Sequence, residues 1–235
     1  MKPLLLFLSG SLLGVGITVA TMYVREPLSQ KLAALFTHQP KAEATTVTLP
    51  LRAKEAVMGS DSAPVTLVEF SDFQCQYCAV FRTKVFPRIK AKFIDAGKLR
   101  FIHRHLPLSF HKNAKSAAQA TVCAGDQGQY WALSDLIFSR ASCLDCQGVM
   151  EFSKALDLDR KRFEACMSSN AHIAEIEEDM ASASQLQIDG TPSFVLGRTK
   201  ALSVDGVVLR GIMPFAEFEA QINAALNLTL PISTR

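Results

Sequence analysis

The chain has 235 residues, 49% of them apolar, enough for one well-buried domain and an appendage. Lys and Arg total 25 against 22 Asp and Glu, with no block of either sign. That balance excludes the electrostatic footprint of a nucleic-acid binder.

Met1 and Lys2 precede an uncharged stretch from Pro3 to Val24. An export signal needs an apolar core of roughly 7–15 residues, a bilayer span about 20. Length therefore favours an uncleaved anchor over residues 1–25, while the small residues of Thr18-Val19-Ala20 leave a cleaved signal open. Gly10 and Gly14 form a Gly-x-x-x-Gly pair of the kind found at helix contacts in membranes. On either reading the rest of the chain leaves the cytoplasm. It then sits on the periplasmic face of the membrane or free in the periplasm, where six cysteines make disulfides the default. Residues 26–58 read as a linker: a short amphipathic piece, Leu28–Phe36, then a polar stalk from Thr37 to about Pro50.

The folded domain is expected over residues 59–230. Val65–Phe70 is near-continuously apolar, as a strand buried on both faces should be. A helix follows from Gln76, in which Tyr77, Phe81, Val85, Ile89 and Phe93 recur at helical spacing. Pro87 should kink it and Gly97 should end it. Leu99–His105 reads as the next strand. From about residue 107 to 187 the pattern is helical throughout; strand character returns at Ser193–Leu196 and Val207–Arg210, and Pro214–Leu226 makes a closing helix. The order predicts an α/β sheet interrupted by an all-helical insertion.

Cys75-Gln76-Tyr77-Cys78 stands at the start of the first helix. Two cysteines three apart there lie on one face, close enough to close a disulfide. Unpaired backbone N–H groups and the helix dipole favour a thiolate on the first. A zinc site shared with the second pair, Cys143 and Cys146, is disfavoured, because ribbon sites separate their pairs by roughly 15–20 residues and here the gap is far longer. The motif reads as a reversible dithiol. Glu69 is anomalous inside a buried strand. His103, His105 and His111 could in principle hold copper or zinc, but no cysteine or carboxylate is demonstrably near, so they read as structural histidines and no metal is expected.

Val65-Thr-Leu-Val-Glu-Phe-Ser-Asp-Phe-Gln-Cys75-Gln-Tyr-Cys78, with Gly190-Thr191-Pro192-Ser193-Phe194 far downstream, resembles the DsbA-like thioredoxin-fold thiol:disulfide oxidoreductases, with a DsbG- or BdbD-like flavour. The resemblance covers roughly Met58 to Leu226 and implies a thioredoxin fold with a helical domain inserted in it. It makes Cys75 the exposed attacking thiol, Cys78 the buried resolving thiol and Pro192 a cis-proline facing them. Thr191 would offer its backbone to a substrate strand, beside Gln76 and Tyr77. Glu69 matches the family's buried acid, the proton acceptor for Cys78. Gln76-Tyr77 replaces the more usual Pro-His or Pro-Tyr, which removes a partner of the thiolate and bears on oxidising strength.

The resemblance also implies a structural disulfide between Cys123 and Cys166, since relatives carry a cysteine pair there. Cys143 and Cys146 read as a local disulfide, with a second redox pair or a metal site as the alternative. The expected activity is thiol–disulfide exchange with cysteine-containing exported proteins, in the direction of disulfide formation, with no dissociable cofactor. An oxidase would need a quinone-linked membrane oxidase to recharge it; an isomerase or reductase, the alternative, would need a membrane electron donor. A non-catalytic chaperone or metal-binding module is the rival from another class.

Overall fold

The computed structural model describes residues 46–144 and 148–229. The strands are β1 (Thr46–Pro50), β2 (Ala56–Met58), β3 (Val65–Ser71), β4 (Leu99–His105), β5 (Ser193–Thr199) and β6 (Ser203–Arg210). They form one mixed sheet in the order β1-β6-β5-β3-β4-β2, in which β3 and β4 are parallel and the other neighbours antiparallel. Every residue of β3 and β4 is buried, which is why Val65–Phe70 reads as a near-continuous apolar run, whereas β4 buries Arg100, His103, Arg104 and His105 among its apolar residues. The thioredoxin fold with its helical insertion is as the sequence implied.

The domain begins earlier than the sequence suggested. β1 and β2 lie inside the stretch read as a linker, where β1 pairs with β6 and β2 with β4. Both are edge strands. Short edges need little apolar alternation of their own, because a partner strand supplies the hydrogen bonds. The membrane segment expected over residues 1–25 lies outside the described residues; among those described, no helix is long and apolar enough to cross a membrane.

Helix α1 runs without a break through Gln76–Val80, Phe81–Val85, Phe86–Ile89 and Lys90–Ile94. Pro87 lacks an N–H and its ring crowds the carbonyl four residues back. The helix widens on both sides of it, with the Phe86 N–H reaching Phe81 O and the Asp95 N–H reaching Lys90 O. These wider turns give the ring room. Gly97, at φ +67°, ends the helix in a left-handed turn, with the Lys98 N–H on Phe93 O at 2.9 Å.

One face of the sheet packs Val65, Leu67, Phe101 and Phe194 against Phe81, Ile89 and, from the closing helix Phe215–Thr229, Phe218 and Ile222. The other face packs Val68, Phe70, Ile102 and Val195 against Ala183 and Ile188. Between β4 and β5 stand α2 (Ala114–Gly125), α3 (Tyr130–Ser139), α4 (Val149–Ser153), α5 (Arg160–Ser169) and α6 (Ile173–Gln185). Their shared core of Ala117, Leu133, Ile137, Phe152 and Phe163 also takes in Phe73, Cys75 and Cys78. The Cys-x-x-Cys pair thus sits at the seam between sheet and insertion.

Cys123 on α2 and Cys166 on α5 are joined by a disulfide with a Cα–Cα separation of 5.8 Å. The Cys143–Cys146 pairing lies outside the described residues.

Candidate active site

The loop Asp72–Gln74 delivers Cys75 to the helix start and is tied down by one buried carboxylate. Asp72 Oδ1 accepts from the Gln74 N–H at 2.7 Å, and Oδ2 accepts from the Leu108 N–H at 2.7 Å while lying 2.8 Å from His111 Nδ1. His111 therefore helps tie the loop in place. Nothing in the sequence singled out Asp72, because its partners stand 36 and 39 residues away.

Cys75 is the N-cap of α1, with extended backbone at φ −73° and ψ 118°, and no acidic residue stands in the first turn. Its sulfur lies 3.3 Å from Thr191 O. The Thr191–Pro192 peptide bond is cis, and β5 starts at the next residue. Thr191, Pro192 and both cysteines are therefore brought together; Gln76 and Tyr77 face solvent between them, with Tyr77 66% exposed. Cys75 itself departs from the expected exposed thiol. It keeps only 7% exposure against 0% for Cys78, since the Thr191 loop covers it. The difference still ranks the two sulfurs for attack.

Their acidities diverge. The Cys75 thiol is pulled down to about 5, chiefly by the hydrogen bond from the Cys78 thiol, with help from Thr191 and the backbone N–H groups of Cys78 and Tyr77 and against the cost of burial. Burial pushes the Cys78 thiol well up, and its hydrogen bond to Cys75 and the negative charges of Glu69 and Cys75 push it further. One sulfur is an anion at neutral pH and the other holds its proton.

Glu69 is fully buried on β3 and accepts from Ser71 Oγ at 2.8 Å. Burial raises its carboxyl to about 7, partly offset by Arg82 and by the Ser71 hydrogen bond. Arg82, on α1, pairs with Asp135 at 2.6 Å and stacks over Phe86 at 4.2 Å. Glu69 thus titrates near neutrality beside a thiol that must lose a proton to react. From about pH 4.5 to about 7 the folded chain holds a proton at Glu69 that the unfolded chain has released, so stability falls as pH rises through that window. Glu69→Gln, a neutral isostere, should melt close to the parent at the acidic end. Above the window it should be more stable, by on the order of 3 kcal/mol. Melting curves across this pH range check it; a constant offset would refute the buried titration.

His103 and His105 are both buried on β4, bridged by the Tyr130 hydroxyl at 2.6 and 3.2 Å. Burial holds both rings well below their usual range, to about 3 for His105. Among the described residues one set of ligand-type side chains clusters, Cys123, Cys166 and His172, and its two sulfurs are bonded to each other.

The family described as thioredoxin matches residues 52–224. The chain belongs to that family. Among relatives of this thioredoxin-family chain, the disulfide bond formation protein D of Bacillus subtilis is 27% identical over 149 residues, 60% of this chain and 66% of that one. The Na(+)/H(+) antiporter NhaA 1 of Salinispora arenicola is 34% identical over 142 residues, 60% of this chain. The chain spans about a fifth of that antiporter's length, so the likeness concerns one part of it. The crystal structure of alpha-DsbA1 from Wolbachia pipientis superposes with a TM-score of 0.68 at 24% identity, over 77% of this chain and 94% of that one. The DsbA-like resemblance carried by the two sequence motifs therefore holds.

Proposed function

We propose that this protein is a thiol:disulfide oxidoreductase that introduces disulfides into exported proteins by exchange at Cys75 and Cys78. The observation that carries the reading is the Cys75–Cys78 pair at the start of α1, with Cys75 Sγ 3.3 Å from Thr191 O beside the cis Thr191–Pro192 bond; the lowered Cys75 and raised Cys78 acidities agree with it. In its oxidised form a substrate thiolate attacks Cys75 Sγ, the Cys75–Cys78 bond breaks, and Cys78 leaves and takes up a proton that Glu69 can give. A second substrate thiolate then attacks the substrate sulfur of the mixed disulfide and expels Cys75 as a thiolate. The substrate loses two electrons and the enzyme pair gains them. A leaving thiolate stabilised in the reduced form makes the pair oxidising, which supports formation over reduction. The hydrogen bonds at the helix start compensate for the histidine missing between the cysteines.

Thr191 and Pro192 border the sulfurs where β5 begins, and an extended substrate segment can pair with the Thr191 backbone there. The exposed Tyr77 and Val80 offer apolar contact beside it. Export, an anchor or signal over residues 1–25, a stalk shortened to residues 26–45, and recharging by a quinone-linked membrane oxidase belong to the same proposal; they are supported by the sequence and by the need for a terminal oxidant.

Cys78→Ser tests the order of attack. Mixed with a reduced cysteine-containing protein after Cys75 has been activated as a mixed disulfide with glutathione, it should accumulate a covalent complex through Cys75, because the resolving thiol is gone. Non-reducing electrophoresis that shows no such complex would overturn the assignment. The parent pair equilibrated with glutathione buffers should come out more oxidising than glutathione.

A further inference from the structure

The exchange mechanism uses Glu69 but leaves the histidine–tyrosine cluster beside it without a role. Glu69 and His103 are partners in the parallel pairing of β3 with β4, so their side chains lie on the same sheet face, one strand spacing apart. Among the described residues Glu69 Oε2, His103 Nε2 and His105 Nδ1 are buried with no hydrogen-bond partner. Buried polar atoms are rarely left so in a core, and each such case asks for a reason. From His103 the chain of contacts is continuous: Nδ1 lies 2.6 Å from the Tyr130 hydroxyl, which lies 3.2 Å from His105 Nε2. The His105 backbone N–H donates to Asp179 Oδ2 at 2.9 Å. Asp179 is ion-paired at 3.0 Å with Arg52, and Arg52 lines an open cavity of about 900 Å³ together with Glu55, Tyr130, His172 and Glu175.

We propose that His103 and Tyr130 form a proton path that connects Glu69, beneath the cysteine pair, with the solvent of the cavity that Tyr130 lines, while His105 is the second partner of the Tyr130 hydroxyl. The inference rests on the exchange reading of Cys75 and Cys78. Each relay atom has the needed chemistry: a neutral imidazole accepts at one nitrogen and donates from the other, and a phenol does both through one oxygen. Burial keeps both rings neutral, the form that relays without trapping charge. The groups facing the path are Arg82, Cys75 and Cys78 from α1, Tyr130 from α3, Asp179 from α6, and Arg52 from the segment between β1 and β2. In the reductive half-reaction the proton moves inward. Cys78 leaves as a thiolate and takes a proton from Glu69, and the path returns one to the carboxylate; in the oxidative half-reaction both transfers run in reverse.

The test is reduction of the Cys75–Cys78 disulfide by dithiothreitol, followed by the fluorescence of Trp131, the single tryptophan of the chain. At about pH 5.5 Glu69 already holds its proton, and Tyr130→Phe should react at the parent rate; at about pH 8.5 the proton must come through the path, and the variant should be about tenfold slower. Its rate should also fall more in D2O than the parent's. His103→Asn, which keeps a polar group toward Tyr130, should behave the same way and carries the test if Tyr130→Phe folds poorly. Iodoacetamide alkylation of reduced Cys75 should not change in either variant. A rate ratio equal at both pH values, or no slowing at all, overturns the path while leaving the exchange reading intact. A parent disulfide that dithiothreitol does not reduce overturns both.

Discussion

Cys75→Ser is expected to remove thiol–disulfide exchange altogether, a loss of at least about a thousandfold in insulin reduction or peptide oxidation. Cys78 cannot substitute, because it is fully buried and its thiol is pushed up by burial and by its neighbours. With a thiol near 5, Cys75 is about 99% ionised at neutral pH, against about 3% for a free cysteine. The parent should therefore show one fast-alkylating thiol whose rate rises with a midpoint near pH 5, and the variant should lack that phase. Exchange that survives in Cys75→Ser would mean that another cysteine carries the chemistry.

The second large effect concerns the fold. Cys123→Ser, paired with Cys166→Ser to avoid a stray thiol, opens a loop closed across 43 residues. Chain-entropy arguments put the loss at about 4 kcal/mol, a large part of a domain stability of about 5–15 kcal/mol. Melting should drop by roughly 10 °C. Cys75 alkylation should change little, since the disulfide clamps α2 to α5 within the insertion and neither of its sulfurs is among the groups that lower the Cys75 thiol. A variant that melts with the parent would show that packing around Phe152 and Phe163 already holds these helices together.

β3 was legible because it is buried along its whole length and nearly all apolar, and β4 because Leu99, Phe101 and Ile102 follow the Gly97 that ends the helix. β1 and β2 were not. Their place depends on pairing with β6 and β4, whose partner residues lie far along the chain, and a stretch containing Pro50 and polar residues looks the same in a stalk. Likewise nothing in residue order singles out Asp72 or Arg82. Only the fold shows one holding the loop to Leu108 and His111, and the other buried against Phe86 beneath the site.

By itself the sequence determined the dithiol and its helix start, the proline that follows Thr191, the acid inside an apolar strand, and the helical block between β4 and β5. These are local patterns: spacing three apart, an apolar run, a turn residue at a fixed place. The tertiary structure decided how the two thiols differ: the hydrogen bond from Cys78 lowers Cys75 most, but burial, which pushes Cys78 up, and the contribution of Thr191, 116 residues away, exist only in the folded chain. It also decided that His103, His105 and Tyr130 meet. The histidines alternate along one strand and the tyrosine opens a distant helix, and their contact exists only because α3 packs across the edge of β4. Local chemistry is written in residue order, whereas electrostatics and proton paths depend on distances that only the folded chain sets.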